Sequence, residues 1–167
     1  MQPTYPAPQR LQGKHLADLL SLAHAADPDA WPDQHWETSL HQDWVLGLYD
    51  PQGQLMTALI LGRTPFDAEV YYLLSHPLVR RQGWAQHLLQ AGLALAFDSW
   101  QVEQVLLEVR ASNQPAQQLY LAAGFEKSGV RRRYYPARET EGEREDAWLY
   151  HLNAMDYQAL IYPTETE

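Results

Sequence analysis

Leu11, His15, Leu19, Leu22 and Ala23 recur at three- and four-residue spacing, a mostly apolar face that predicts an amphipathic helix. Asp27 to Pro32 breaks it before a second short helical stretch around Trp36 and Leu40. Ahead of both, residues 1–10 are rich in Pro and Gln and read as a flexible arm. The period then changes to that of strands. Trp44 to Tyr49 and Leu55 to Leu61 flank Asp50-Pro51-Gln52-Gly53, whose Pro and Gly suit a tight turn, so a hairpin is predicted. A third strand runs from about Glu69 to Ser75 through Val70-Tyr71-Tyr72-Leu73-Leu74, and Pro77, which lacks an N–H, stops its pairing.

From Ala85 the spacing returns to three and four through Leu88, Leu89, Gly92, Leu95 and Ala96, giving a helix to about Trp100. Val105 to Val109 is the next β-branched and aliphatic run, so strand, helix and strand make a βαβ unit with parallel strands. A short helix follows, with Asn113 as N-cap, Pro115 in the first turn and Gly124 as the stop after Leu119, Tyr120 and Ala123. Val130 to Tyr135 and Ala147 to Leu152 predict an antiparallel edge across the acidic, polar segment Glu139 to Asp146. The pattern supports one domain over 11–154, with 155–167 as a tail of unassigned structure.

Composition agrees with one globular domain: 167 residues, 46% hydrophobic and 20% charged. No apolar run approaches the roughly 20 residues that span a bilayer, and Met1 to Pro6 lacks the features of a signal peptide. A cytoplasmic protein with no membrane partner is the expectation. The absence of cysteine excludes disulfides, Cys-ligated metals and a thiol nucleophile. His24, His35 and His41 are scattered, His151 sits in a strand-like run, and no His-Glu-x-x-His occurs, so no metal site is expected. A net charge of −9 argues against nucleic acid and suits an amine or basic polypeptide, although solubility is the commoner use of such charge.

Against this acidic background Arg80-Arg81 and Arg131-Arg132-Arg133 stand out. Arg80-Arg81-Gln82-Gly83-Trp84-Ala85 lies between a strand and a helix, where unpaired N–H groups and the helix dipole favour an anion. Gly83 has no Cβ, so a phosphate can approach its backbone. The turn reads either as a pyrophosphate cradle or as an ordinary strand-to-helix turn with solvated arginines.

A second constellation runs through Leu107-Glu108-Val109-Arg110-Ala111-Ser112-Asn113, Ala116, Leu119-Tyr120, Gly124-Phe125 and Arg131 to Pro136. Together with Arg80-x-x-Gly83-x-Ala85 it resembles the GNAT superfamily of acetyl-CoA-dependent N-acetyltransferases. Within that superfamily the chain looks most like the bacterial ribosomal-protein-alanine N-acetyltransferases, and Arg144-Glu145-Asp146-Ala147 also matches that subgroup. The resemblance covers residues 10 to 154 and is strongest from Leu73 to Ala147.

It implies an α+β, three-layer fold: a mixed, mostly antiparallel sheet with helices on both faces and central strands that splay around pantetheine. It implies acetyl-CoA as co-substrate, no metal, a protein N-terminus or a small amine as acceptor, and a monomer or weak dimer. On the same resemblance Leu73, Leu74 and Ser75 offer backbone groups to the acetyl and pantetheine portions. Arg80, Arg81, Gln82, Gly83, Trp84, Ala85 and Gln86 form the pyrophosphate turn, and Asn113 bonds the pantetheine arm. Tyr134 and Tyr135 shape the acceptor groove.

Acetyl transfer needs a base for the ammonium, a donor for the tetrahedral oxyanion and a proton for the leaving thiolate. Glu108, the only acid between Val105 and Gly124, is the candidate base; pairing with Arg110, two residues along the same strand face, is its structural alternative. A main-chain N–H near Leu74 serves the oxyanion by resemblance. Tyr120, with a reference pKa of about 10 against about 8.5 for a thiol, is read as handing its proton to the sulfur; core packing beside Ala116 and Ala123 is its alternative.

Departures from the family pattern fall on the cofactor turn, where Trp84 and Ala85 replace a smaller pair and Gln86 stands in a commonly basic position. His76 takes a place where the subgroup commonly has an acid, which puts it beside the acceptor channel. Trp31 to Leu40, which fits loosely, would supply selectivity. An acyl-CoA-binding module without turnover is the reading from another functional class.

Overall fold

The computed structural model describes residues 4–27, 30–138 and 142–163. Pro28 and Asp29 in the first break, and Glu139 to Glu141 in the acidic segment, lie outside the described residues. The strands belong to a mixed, mostly antiparallel seven-stranded sheet with accompanying helices, the predicted α+β class. Contacts group into two compact units, Met1–Arg63 with Val70–Leu95 and Thr64–Glu69 with Ala96–Glu167.

In the first unit Gln9–Leu11 (β1) pairs antiparallel with Trp44–Tyr49 (β2), which pairs with Leu55–Arg63 (β3). Gln9 and Arg10 therefore leave the predicted flexible arm, because Leu11 is buried at 1% exposure and brings its neighbours into the sheet edge. The β2–β3 turn is fixed by Asp50, whose Oδ1 accepts the N–H groups of Gln52 (2.9 Å) and Gln54 (2.8 Å). Asp67–Ser75 (β4) follows, its residues from Val70 onward belonging to this unit and Asp67 to Glu69 to the second.

Leu16–Ala26 (α1) buries Leu19, Leu22 and Ala23 of the face read from sequence, whereas Leu11 and His15, read as its start, lie in β1 and in a 3-10 turn over Gly13–His15. Asp33–Gln42 (α2) starts on Pro32 with an acid in its first turn, which complements the helix dipole. It buries Trp36 and Leu40 in a core with Leu22, Ile60 and Leu74. Trp84–Ala94 (α3) sits so close to β3 that a Cβ at Gly92 would collide with Leu59, which explains a glycine in the middle of this helix. A π turn over Leu95–Ser99 ends it.

The second unit is built on Gln104–Arg110 (β5), Gln114–Ala122 (α4), Glu126–Tyr135 (β6) and Glu145–Asn153 (β7). β7 pairs antiparallel with both β5 and β6, so Glu108 lies opposite Leu149 and Arg131 opposite Ala147. The β6 register breaks between Arg131 and Tyr135, where Arg133 takes φ 53° and donates its N–H to Asp146 Oδ1 at 2.8 Å. The tail contains Ala154–Ile161 (α5), capped by Asn153 and held by Tyr157, whose ring stacks on Phe97 at 4.5 Å.

Candidate active site

The candidate residues fall in both units. Leu73, Leu74, Ser75 and Arg80 to Gln86 belong to the first, while Glu108, Asn113, Tyr120, Tyr134 and Tyr135 belong to the second. In the first, β4 ends at Ser75 and a 3-10 turn over Pro77–Val79 leads into the arginine-glycine turn. His76 is used locally: its Nδ1 accepts the Leu78 N–H at 3.2 Å and its own N–H donates to Met56 O at 2.8 Å.

The turn carries two left-handed residues, Arg81 at φ 61° and Gly83 at φ 84°, the kind of backbone that gathers N–H groups into an anion-binding concavity. Gly83 is the N-cap of α3, and His87 is the first residue whose N–H returns to it, donating to Gly83 O at 2.9 Å. Among the described residues no carbonyl outside the helix takes the N–H groups of Gly83, Trp84, Ala85 or Gln86. Four donors at a positive helix end fit a pyrophosphate.

The side chains are spent differently from expectation. The Arg80 guanidinium donates to Ala26 O (2.7 Å) and Ser75 O (3.4 Å), fastening the turn to the last residue of α1 and the end of β4. Gln82 donates to Leu78 O at 2.7 Å. Arg81 and Gln86 are exposed. The gap left by Gly83's missing Cβ is filled from the side by the Tyr5 hydroxyl.

A separate cavity of about 340 Å3 in this unit is walled by Trp31, His35, Ser39, Asp43 and Tyr71. Burial raises the Asp43 carboxyl above its ordinary value, against a hydrogen bond from Ser39. This places part of the Trp31 to Leu40 segment on a concave surface.

In the second unit Glu108 projects from β5 and pairs with Arg131 at 3.0 Å, while Arg110 pairs with Glu145 at 3.2 Å. Pairing of Glu108 with Arg110 is therefore replaced by two longer-range pairs. Neighbours two apart on a strand stand about 7 Å apart, whereas an arginine on β6 reaches across β7. Glu69, which sequence reading treated only as the start of a strand, belongs to the same cluster. Burial, then the charge of Glu108, raises its carboxyl above the usual range, and Arg131 opposes the rise. The signal for it was an acid directly before the apolar and aromatic run Val70 to Leu74.

Tyr120 is 6% exposed on α4, its ring edge-on to Phe125 at 5.7 Å. Burial, with Tyr135 adding to it, pushes the Tyr120 phenol far above its ordinary value. Tyr135 itself is pushed up to about 12, first by burial and then by Glu108. The structure thus brings Glu108, Tyr120 and Tyr135 into one electrostatic cluster. Arg110 lies over the Tyr135 ring at 4.5 Å, and Tyr134 meets Tyr135 edge-on at 5.1 Å with 41% of its surface exposed.

Asn113 caps α4, its Oδ1 accepting the Ala116 N–H at 3.3 Å. Gln117, unnoticed in the sequence, ties α4 to β5 by donating to Arg110 O (3.1 Å) and Ala111 O (2.8 Å). Glu145 accepts the Ser112 N–H at 2.6 Å and so anchors the β5–α4 turn to β7. Its burial works to raise its carboxyl, but the hydrogen bonds from Ser112 and the Arg110 pair outweigh that and hold it below the usual range.

Glu145→Gln is expected to cost about 1–2 kcal/mol at neutral pH by weakening charge-assisted hydrogen bonds. The native pKa is depressed, so this contribution is present above the unfolded value of about 4.3 and is lost as pH falls through the folded value. Urea denaturation at a series of pH values should show the two proteins converging on acidification; a pH-independent gap would refute the electrostatic origin.

Among the described residues no group of three His, Cys, Asp or Glu is arranged to hold a metal, and no helix is long and apolar enough to cross a membrane.

Residues 15–125 match the Acetyltransferase (GNAT) family. A ribosomal protein bS18-alanine N-acetyltransferase of Haemophilus ducreyi is 33% identical over 104 residues, taking in 62% of this chain and 70% of that protein. An uncharacterized protein of Mycobacterium leprae is 41% identical over 96 residues, 57% of this chain but 24% of its own length. The shared stretch thus spans between 24% and 70% of these relatives. The crystal structure of the ribosomal-protein-S18-alanine N-acetyltransferase from Escherichia coli superposes with a TM-score of 0.79 at 26% identity, covering 89% of this chain and 93% of that one. An α+β domain with an arginine-glycine turn at a helix N-terminus is the class that fold and site define. The chain belongs to the acetyltransferase (GNAT) family.

Proposed function

We propose that the protein transfers the acetyl group of acetyl-CoA to a primary amine, the N-terminal α-amine of a protein, by direct attack. The observation that carries this reading is the acid–tyrosine cluster of the second unit in a chain whose relatives include alanine N-acetyltransferases. The open N–H groups of Gly83 to Gln86 would hold the pyrophosphate, with Arg81 adding charge. Arg80 would act by bracing the turn. Leu73, Leu74 and Ser75 would supply main-chain groups to the acyl end, and Asn113, with Oδ1 engaged in the cap, would offer its amide N–H groups to pantetheine.

The acceptor arrives largely as an ammonium, since an α-amine has a pKa near 8. Glu69 and Glu108 together carry one more charge than Arg131 neutralises, which favours a cation at this cluster. Glu108 takes the ammonium proton, directly or through water. The neutral nitrogen then attacks the thioester carbonyl carbon, forming the C–N bond as the C–S bond breaks.

Tyr120 cannot give its proton to a free thiolate downhill. An ordinary phenol at about 10 is already a weaker acid than a thiol at about 8.5, and burial widens the gap. The role that fits is a hydrogen bond from a phenol that stays protonated, strengthening as charge develops on sulfur; the proton that finally neutralises the thiolate derives from the amine. Tyr134 and Tyr135 would flank the acceptor.

Incubation with acetyl-CoA and peptides beginning with Ala or Ser should release free CoA thiol and add one acetyl group at the peptide N-terminus by mass spectrometry. Acetylation of a polyamine but no peptide would reassign the acceptor to small amines. CoA binding without transfer to any acceptor would make the protein a binding module.

A further inference from the structure

The Tyr5 hydroxyl donates to Gln82 O at 2.8 Å, across 77 positions of sequence. Its ring stacks on His87 at 4.8 Å with planes 25° apart and meets Trp84 nearly perpendicular, at 80°. A Cβ built at Gly83 would collide with the same hydroxyl. The glycine is therefore demanded both by its left-handed φ of 84° and by the approach of Tyr5.

No described peptide bond is cis, so the carbonyl of Gln82 and the N–H of Gly83, which share one peptide unit, point in opposite directions. Tyr5 occupies the carbonyl side. The N–H lies on the other side, in the row of donors from Gly83 to Gln86 that, among the described residues, no carbonyl outside the helix takes. That peptide plane lies between two left-handed residues, Arg81 and Gly83. A hydrogen bond on one end of that plane aims the other end. Pro6 and Pro8, next along the arm, lower the entropy cost of holding Tyr5 in place.

We propose that Tyr5 is a positioning residue of the cofactor turn: by holding the Gln82 carbonyl it aims the Gly83 N–H at the pyrophosphate of the acyl donor. This rests on the reading of the turn as the acetyl-CoA site. Trp84 and His87 serve as the aromatic seat on which the Tyr5 ring is held.

Tyr5→Phe keeps the ring and removes only the donor. In the full-length chain it should raise KM for acetyl-CoA roughly 2- to 10-fold, the range of one hydrogen bond, with kcat retained. With S-acetylpantetheine, which has no pyrophosphate, kcat/KM should be unchanged. Calorimetry with CoA should show the same weakening as KM. Equal losses with both donors would reduce Tyr5 to a structural residue, and no loss with either would overturn the proposal. Tighter CoA binding in the variant would instead make Tyr5 a cover over the turn. Failure of the wild-type chain to bind CoA at all would overturn the acetyl-CoA reading itself, whereas normal wild-type binding with an unaffected variant overturns only the role of Tyr5.

Discussion

Glu108→Gln is expected to lower kcat for acetyl transfer by about 10²- to 10⁴-fold, the range a positioned proton acceptor contributes, with KM for acetyl-CoA little changed. The substitution keeps the side chain's shape and removes the charge that now faces Arg131 at 3.0 Å. Tyr120→Phe should lose about 10²-fold in kcat, since only the donor to the developing thiolate is removed. The ring can keep its edge-on contact with Phe125, so stability should move by no more than about 1 kcal/mol. Steady-state thiol release, with each variant's folding checked by thermal melting, tests both. Wild-type kcat in both variants would remove these residues from the chemistry. Glu69→Gln is the necessary companion: its carboxyl is raised by burial beside Glu108, so a loss larger than that of Glu108→Gln would move the base to Glu69.

Trp36→Ala is expected to destabilise the protein by about 3–5 kcal/mol, a large part of the roughly 5–15 kcal/mol that holds a domain together. Trp36 has no exposed surface, packs against Trp31 at 4.9 Å and Tyr72 at 5.0 Å, and donates its indole N–H to Trp31 O at 3.0 Å. Alanine would leave a cavity and strand a carbonyl. The same contacts seat Trp31 at the wall of the surface cavity, so losses in acceptor KM should accompany the loss of stability if that cavity contributes to selectivity. Urea denaturation gives the magnitude; a loss under about 1 kcal/mol would mean that the cluster repacks around the gap.

Most elements were legible because their causes are local. The Leu19 to Ala23 part of the α1 face, the Asp50 to Gly53 hairpin, the Asn113 cap and the Gly124 stop each depend on residues within a few positions of one another, and the structure shows each where the pattern puts it. The misreadings share the opposite property. Gln9 and Arg10 read as arm because composition cannot show that Leu11 is buried beneath a sheet edge. Met155 to Ile161 has no readable local pattern, because α5 owes its place to Tyr157 stacking on Phe97, far away in sequence. The Glu108–Arg110 alternative failed because period two tells which face a residue takes but not which cation reaches it across a neighbouring strand.

The candidate site divides along the same line. The residues offered Gly83, Glu108 and Tyr120 as candidates, and it was the family resemblance that put Glu108 above pairing with Arg110 and Tyr120 above core packing. The sequence by itself therefore determined most of the elements and their order, and offered the candidate groups. Only the tertiary structure decided that Arg80 braces α1, that Tyr5 holds the Gln82 carbonyl, and that Glu69 shares the field of Glu108 and Arg131. Such pairings arise when the core draws distant segments together, and no local period encodes them.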